Sequence, residues 1–173
     1  MLTAKLRVEE MNAMDDLALI SACFAPMIRA YKEAETKGED FSESGFRTLS
    51  KGQQALFPFW AYCTHVVKSE ADLYWWTAYF MARPKRWLGV LSGLRFFGDI
   101  ATLGIAENMA AALAMRNHPR SLDRFDAAFD DLLKEAELAD ITASLYGRLL
   151  AGLPSTCRAI ADHIRRHPHD FIA

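Results

Sequence analysis

Apolar residues recur along this chain at intervals of three and four, and no stretch shows the apolar–polar alternation and β-branched enrichment of a strand. Leu17, Ile20, Phe24, Ile28 and Tyr31 make one such stripe. Leu73, Trp76 and Phe80 make a second, and Trp87, Leu91, Leu94 with Phe96 or Phe97 a third. Leu122, Phe125, Phe129, Leu132 and Leu133 make a fourth. Residues three and four apart share one side only on a helix. The pattern predicts an all-α fold: a single compact domain of seven to nine helices over residues 1–173, with a mobile C-terminal tail at 167–173.

Start and stop signals divide the stripes into elements. Ser50-Lys51-Gly52-Gln53 matches a capping box and opens a helix through Val67, interrupted at Pro58. Ser69 with Asp72 caps the next, and Pro84 suits the first turn of another. Pro26 should kink or restart the helix it sits in. Lys37 to Ser44 reads as a loop. Gly98 and Gly104 mark stops, and His118-Pro119 ends an alanine-rich helix over Glu107 to Met115. Ser121 caps a helix carrying the fourth stripe. Two further helices, around Ile141 to Leu150 and from Pro154 to about His167, finish the chain.

With 51% hydrophobic and 24% charged residues, the chain is far from the composition of a disordered segment. At 173 residues it buries roughly two-thirds of its unfolded surface. The longest uncharged stretch, Gly52 to Val67, falls short of the roughly 20 residues of a membrane-spanning helix, and no secretory signal opens the chain. A cytoplasmic protein is expected. Cys23, Cys63 and Cys157 are three, far apart and without CxxC spacing, which excludes a disulfide framework and a zinc knuckle and leaves buried apolar thiols.

Net charge is only −2, but it is uneven. Residues 1–50 carry six basic and nine acidic side chains, 51–120 eight and four, and 121–173 six and nine. Twelve of the twenty aromatic residues fall between Phe57 and Phe97, within the basic middle. There Arg83, Lys85, Arg86 and Trp87 follow Tyr74, Trp75, Trp76 and Tyr79, a mixture suited to phosphate contact and base stacking at a helix start. In the acidic C-terminal third, Asp123, Asp126, Asp130 and Asp131 share one side of the expected helix, opposite Phe125 and Phe129. That side is either a solvated face or a docking surface for a basic partner.

Enzyme signatures are missing: GxSxG, the Walker loop, HExxH and GxGxxG do not occur. Cys63 and His65 point some 200° apart on a helix, a poor nucleophile–base pair. His163 and His167 share a helix face, but Arg165 and Arg166 beside them oppose a cation, so no metal is expected. No cofactor is expected either.

The segment Leu49-Ser50-Lys51-Gly52-Gln53-Gln54-Ala55-Leu56-Phe57, with Trp60 and Val66, resembles the helix that opens the core of the all-helical bacterial family named after DNA-mimic proteins. Ile100-Ala101-Thr102-Leu103-Gly104-Ile105-Ala106, running into Ala110 to Leu113, resembles that family's later helix junction. The likeness spans about residues 45–137; where the family has a Gly-Gly-Phe segment, this chain reads Ser69 to Trp75. The resemblance implies a helical, non-enzymatic protein that binds other proteins, its named members presenting carboxylates as DNA phosphates are presented. A charge of −2 with a basic middle leaves such mimicry only to the two acidic ends.

The expected function is therefore protein–protein interaction, as a regulator or immunity-type inhibitor, through Asp123, Asp126, Asp130 and Asp131. The alternatives are polyanion or nucleic-acid binding through Arg83, Lys85, Arg86 and Trp87, and a small-molecule pocket lined by Trp60, Tyr74, Trp75 and Tyr79. The partner is another protein, nucleic acid ranks below it, no membrane is involved, and a homodimer remains open.

Overall fold

The computed structural model describes residues 2–118 and 120–173, with Ser44 described by its backbone alone. Among these residues the chain is all-helical, with nine α-helices and no strand. They are α1 (Val8–Ala13), α2 (Asp16–Lys37), α3 (Phe41–Ser44), α4 (Lys51–Val66), α5 (Glu70–Met81), α6 (Pro84–Phe97), α7 (Ile100–Met115), α8 (Asp131–Lys134) and α9 (Ala136–Arg166). No described helix is long and apolar enough to cross a membrane. The chain divides into two compact units, Met1–Phe57 with Ser155–Ala173, and Pro58–Pro154.

In the first unit, Asp15 caps α2 by accepting from Ala18 N–H at 2.8 Å, and Gly38 ends it at φ 70°, a left-handed turn glycine tolerates. The buried stripe is Leu19, Ile20, Cys23, Phe24 and Met27. It is rotated from the expected one: Leu17 is 54% exposed. Pro26 does not end the helix, because Cys23, Phe24 and Met27 are buried on both sides of it and hold the register. Phe57, at the end of this unit's share of α4, gathers the rings of Phe24, Tyr31, Phe41 and Phe46 at centroid distances of 5.3–6.4 Å. The expected loop at Lys37 to Ser44 contains the single turn α3.

The Ser50 capping box forms as its residues dictate: the Ser50 hydroxyl accepts from Gln53 N–H, and the Gln53 side chain accepts from Ser50 N–H. Gln53 also donates to Leu2 O at 2.7 Å. Residues 167–173 include a 3-10 turn at Pro168–Asp170 and the buried Phe171, and Ile172 pairs with Ala4 in an isolated parallel bridge.

In the second unit, Ser69 caps α5, Pro84 takes the first turn of α6, and Gly98 ends α6 at φ 72°. Gly104 is not a stop but lies within α7. The core contains Leu73, Tyr74, Phe80, Val90, Leu94, Leu103, Ile105, Met109 and Leu113, with Leu138, Leu145 and Leu149 from α9. Its polar members are paired: Tyr62 and Thr77 hydroxyls lie 2.8 Å apart.

Two further expectations fail here. The two C-terminal helices are one, because the buried positions Leu145, Leu149, Thr156, Ile160 and Ile164 continue in phase past the exposed Pro154. And the helix from Ser121 to Leu133 does not exist: a 3-10 turn at Leu122–Arg124 leads into extended chain and then into the single turn α8.

Candidate functional site

What replaces that helix is a segment fastened to α5. Trp75 Nε1 donates to Ala127 O at 2.9 Å. The Phe129 ring stacks on Trp75 with centroids 5.2 Å apart, and Phe125 meets both Trp75 and Tyr79 edge-on at 5.5 and 5.9 Å. One residue earlier on α5, the buried Tyr74 donates its hydroxyl to Asp131 Oδ2 at 2.8 Å and stands 3.1 Å from His118 Nε2. Asp131 also accepts from Ala128 N–H at 2.8 Å. These bonds satisfy a backbone rich in Asp, which prefers such local side-chain pairings to a helix interior.

The electrostatics follow from the geometry. Burial, then the Asp131 carboxylate beside it, push the Tyr74 phenol far above its ordinary range. Burial works against the charge on Asp131, but bonds from Ala128 N–H, Tyr74 and Lys134 together hold its carboxyl below the usual value. Tyr74 is thus a fixed neutral donor and Asp131 a fixed anion.

The four candidate carboxylates do not share a helix face, since no helix carries them. Asp131 turns inward to Tyr74 and Ala128, while Asp123, Asp126 and Asp130 are exposed. Asp126 Oδ1 lies 3.8 Å from His118 Nδ1, and Asp130 pairs with Lys134 at 3.0 Å. Among them stand three apolar side chains: Leu122, 41% exposed, Phe129, 49%, and Leu133, 88%. All three belong to the fourth apolar stripe of the sequence, and Leu133 is the most exposed of them. Nothing in its spacing marks it as exposed, because the helix assumed for it does not form.

The basic–aromatic candidate is placed differently from its sequence impression. Lys85 and Arg86 are exposed in the first turn of α6. The Arg83 guanidinium lies 4.7 Å over the Tyr79 ring, and its Nε finds no hydrogen-bond partner among the described residues. Trp87 is half-buried edge-on against Tyr62 at 5.8 Å. Its ring belongs to the interior more than to a stacking platform. Of the expected pocket lining, Trp60 and Tyr74 are buried, and Trp75 and Tyr79 are half-buried in the aromatic contacts given above.

Elsewhere, all three cysteines are buried thiols outside any disulfide, and burial pushes the Cys23 thiol up to about 12. Among the described residues no group of three or more His, Cys, Asp or Glu side chains is arranged to hold a metal ion. Sequence reasoning missed one ring pair: His65, half-buried on α4, stacks on Trp76 at 3.6 Å. The ten positions between them in sequence carry no signal for that contact.

No protein-family model matches the chain, and no curated protein or solved structure matches it.

Proposed function

We propose that the chain acts by binding another protein through residues 121–134, as a regulator or an inhibitor of its partner. The observation that carries this reading is the set Leu122, Phe129 and Leu133, exposed on a segment held to α5 and interspersed with Asp123, Asp126 and Asp130. Exposed apolar anchors rimmed by charge are the anatomy of a docking surface, and a segment already fixed by its own bonds loses little entropy on binding. The partner that fits is a protein with an apolar groove edged by Lys and Arg. DNA-binding proteins present such basic surfaces, which is the kind of partner the family resemblance implies.

The test is retention of proteins and nucleic acid from source-organism lysate on the immobilised chain, with and without nuclease, comparing wild type with Leu133→Ser and with D123K/D126K/D130K. A basic protein should be retained by wild type and lost by roughly tenfold or more with either variant, the scale of a truncated interface anchor. Equal retention by all three would remove this surface from consideration. Retention of nucleic acid alone, abolished by nuclease, would transfer the function to Arg83, Lys85 and Arg86.

A further inference from the structure

The last turn of α9 brings two imidazoles together. His163 and His167 have ring centroids 4.5 Å apart, and His163 meets the Phe171 ring edge-on at 6.2 Å. Phe171 is fully buried, seated on Gly52 of α4 so closely that a Cβ at Gly52 would stand 2.7 Å from its Cζ. That same Cβ would be 3.4 Å from His163 Nε2, so ring, glycine and imidazole form one contact. The backbone of the segment is tied down beside it. Ala4 N–H donates to Phe171 O at 2.8 Å, Ala173 N–H to Ala4 O at 3.0 Å, and the Ser50 hydroxyl to Asp170 O at 3.4 Å.

The charges around the pair come from four elements. On α9 they are Asp162, Arg165 and Arg166, and on the following turn His169 and Asp170, which lie 3.5 Å from each other. From α2, Asp16 is held by Arg165 at 2.7 Å, and Asp162 lies 3.8 Å from the same guanidinium. From α4, Lys51 stands exposed next to Gly52. Asp16 and Asp162 are thus occupied by Arg165, which leaves Asp170 as the carboxylate acting on His163. Burial above all, then His167 and Arg166, lower the proton affinity of His163, and Asp170 offsets them only in part.

We propose that His163, packed against His167 and Phe171, works as an acid-sensitive latch, whose protonation drives its ring from His167 and releases Phe171 and residues 167–173 from Gly52 and Ala4. At neutral pH His163 is uncharged and the segment is closed. In acid a charged His163 stands half-buried beside His167 and Arg166, and its departure unseats the phenyl ring.

Hydrogen exchange of the full chain tests this, read in peptides covering 2–7 and 167–173 at pH 7.5 and 5.0 and corrected for the intrinsic pH dependence of exchange. Protection in these peptides should fall by about tenfold or more in acid, as linkage requires when the open form binds the extra protons. In H163Q/H167Q the acid-dependent loss should disappear. Unchanged protection in the wild type, or the same loss in the double variant, overturns the latch. If the double variant does not fold, NMR of the wild type decides: Phe171 ring signals must move with the same midpoint as the His163 titration. Phe171 signals that stay put across that titration overturn it equally.

Discussion

His65 shows how much a single side chain can commit a protein to a pH range. Its ring lies 3.6 Å from Trp76 and nearly parallel to it, and its Nδ1 is buried with no hydrogen-bond partner among the described residues. Burial, reinforced by Lys68 and only partly offset by Asp72, lowers its pKa from the ordinary 6.5. In the unfolded chain the same imidazole takes its proton near pH 6.5, so between that pH and the lower folded value the unfolded state binds more protons. Stability therefore holds above about pH 6.5 and declines as pH falls through the window. His65→Phe keeps a ring against Trp76 and removes the titration. Urea midpoints between pH 7.5 and 5.5 should fall less steeply in that variant than in wild type, and parallel slopes would show that His65 does not set the trend. Such effects escape sequence reading because they depend on which ring of another helix comes to lie on the imidazole.

Elements were legible where their determinants are local. Ser50, Ser69, Pro84 and Gly98 each govern a helix end through bonds or dihedrals within a few residues, and each stands where its residue type demands. The segment 121–133 was misread because its periodicity is helical while its partners are distant: Trp75 and Tyr74 supply what a helix would have supplied. The length of α9 was misread for the opposite reason, a strong local breaker outvoted by a long buried stripe. Pro154 leaves the carbonyl of Leu150 without its usual helical donor. Since Pro154 is exposed, Pro154→Ala should restore that bond without disturbing the core. We expect stabilisation of roughly 1–3 kcal/mol by chemical denaturation, the helix-propensity difference being about 3 at its largest. A loss of stability would mean that the proline shapes α9 in a way its neighbours require.

At the scale of the whole molecule, the all-helical class follows from the periodicity of the apolar residues, whereas the division into units does not, because it depends on contacts between remote segments. The two units are unlike in connectivity: Pro58–Pro154 is continuous, and the other is assembled from Met1–Phe57 and Ser155–Ala173. The candidate surface, with its anchors Trp75 and Tyr74, lies wholly within the continuous unit. Residues 58–154 expressed alone should give a helical circular-dichroism spectrum with a cooperative melt, while residues 1–57 alone should not. A 58–154 fragment without a cooperative transition would show that this unit depends on the rest of the chain.

The seat of Phe171 on Gly52 and the pairing of Ile172 with Ala4 have a temporal meaning as well. A ribosome delivers Gly52 long before it delivers Phe171, and domains fold as their residues emerge. Residues 58–154 have all their own contacts available while the earlier segment still lacks the side chain that fills the space above its glycine. The segment that carries Gly52 is thus completed only once residues 167–173 have been made, and until then its glycine face stays open to chaperones and proteases.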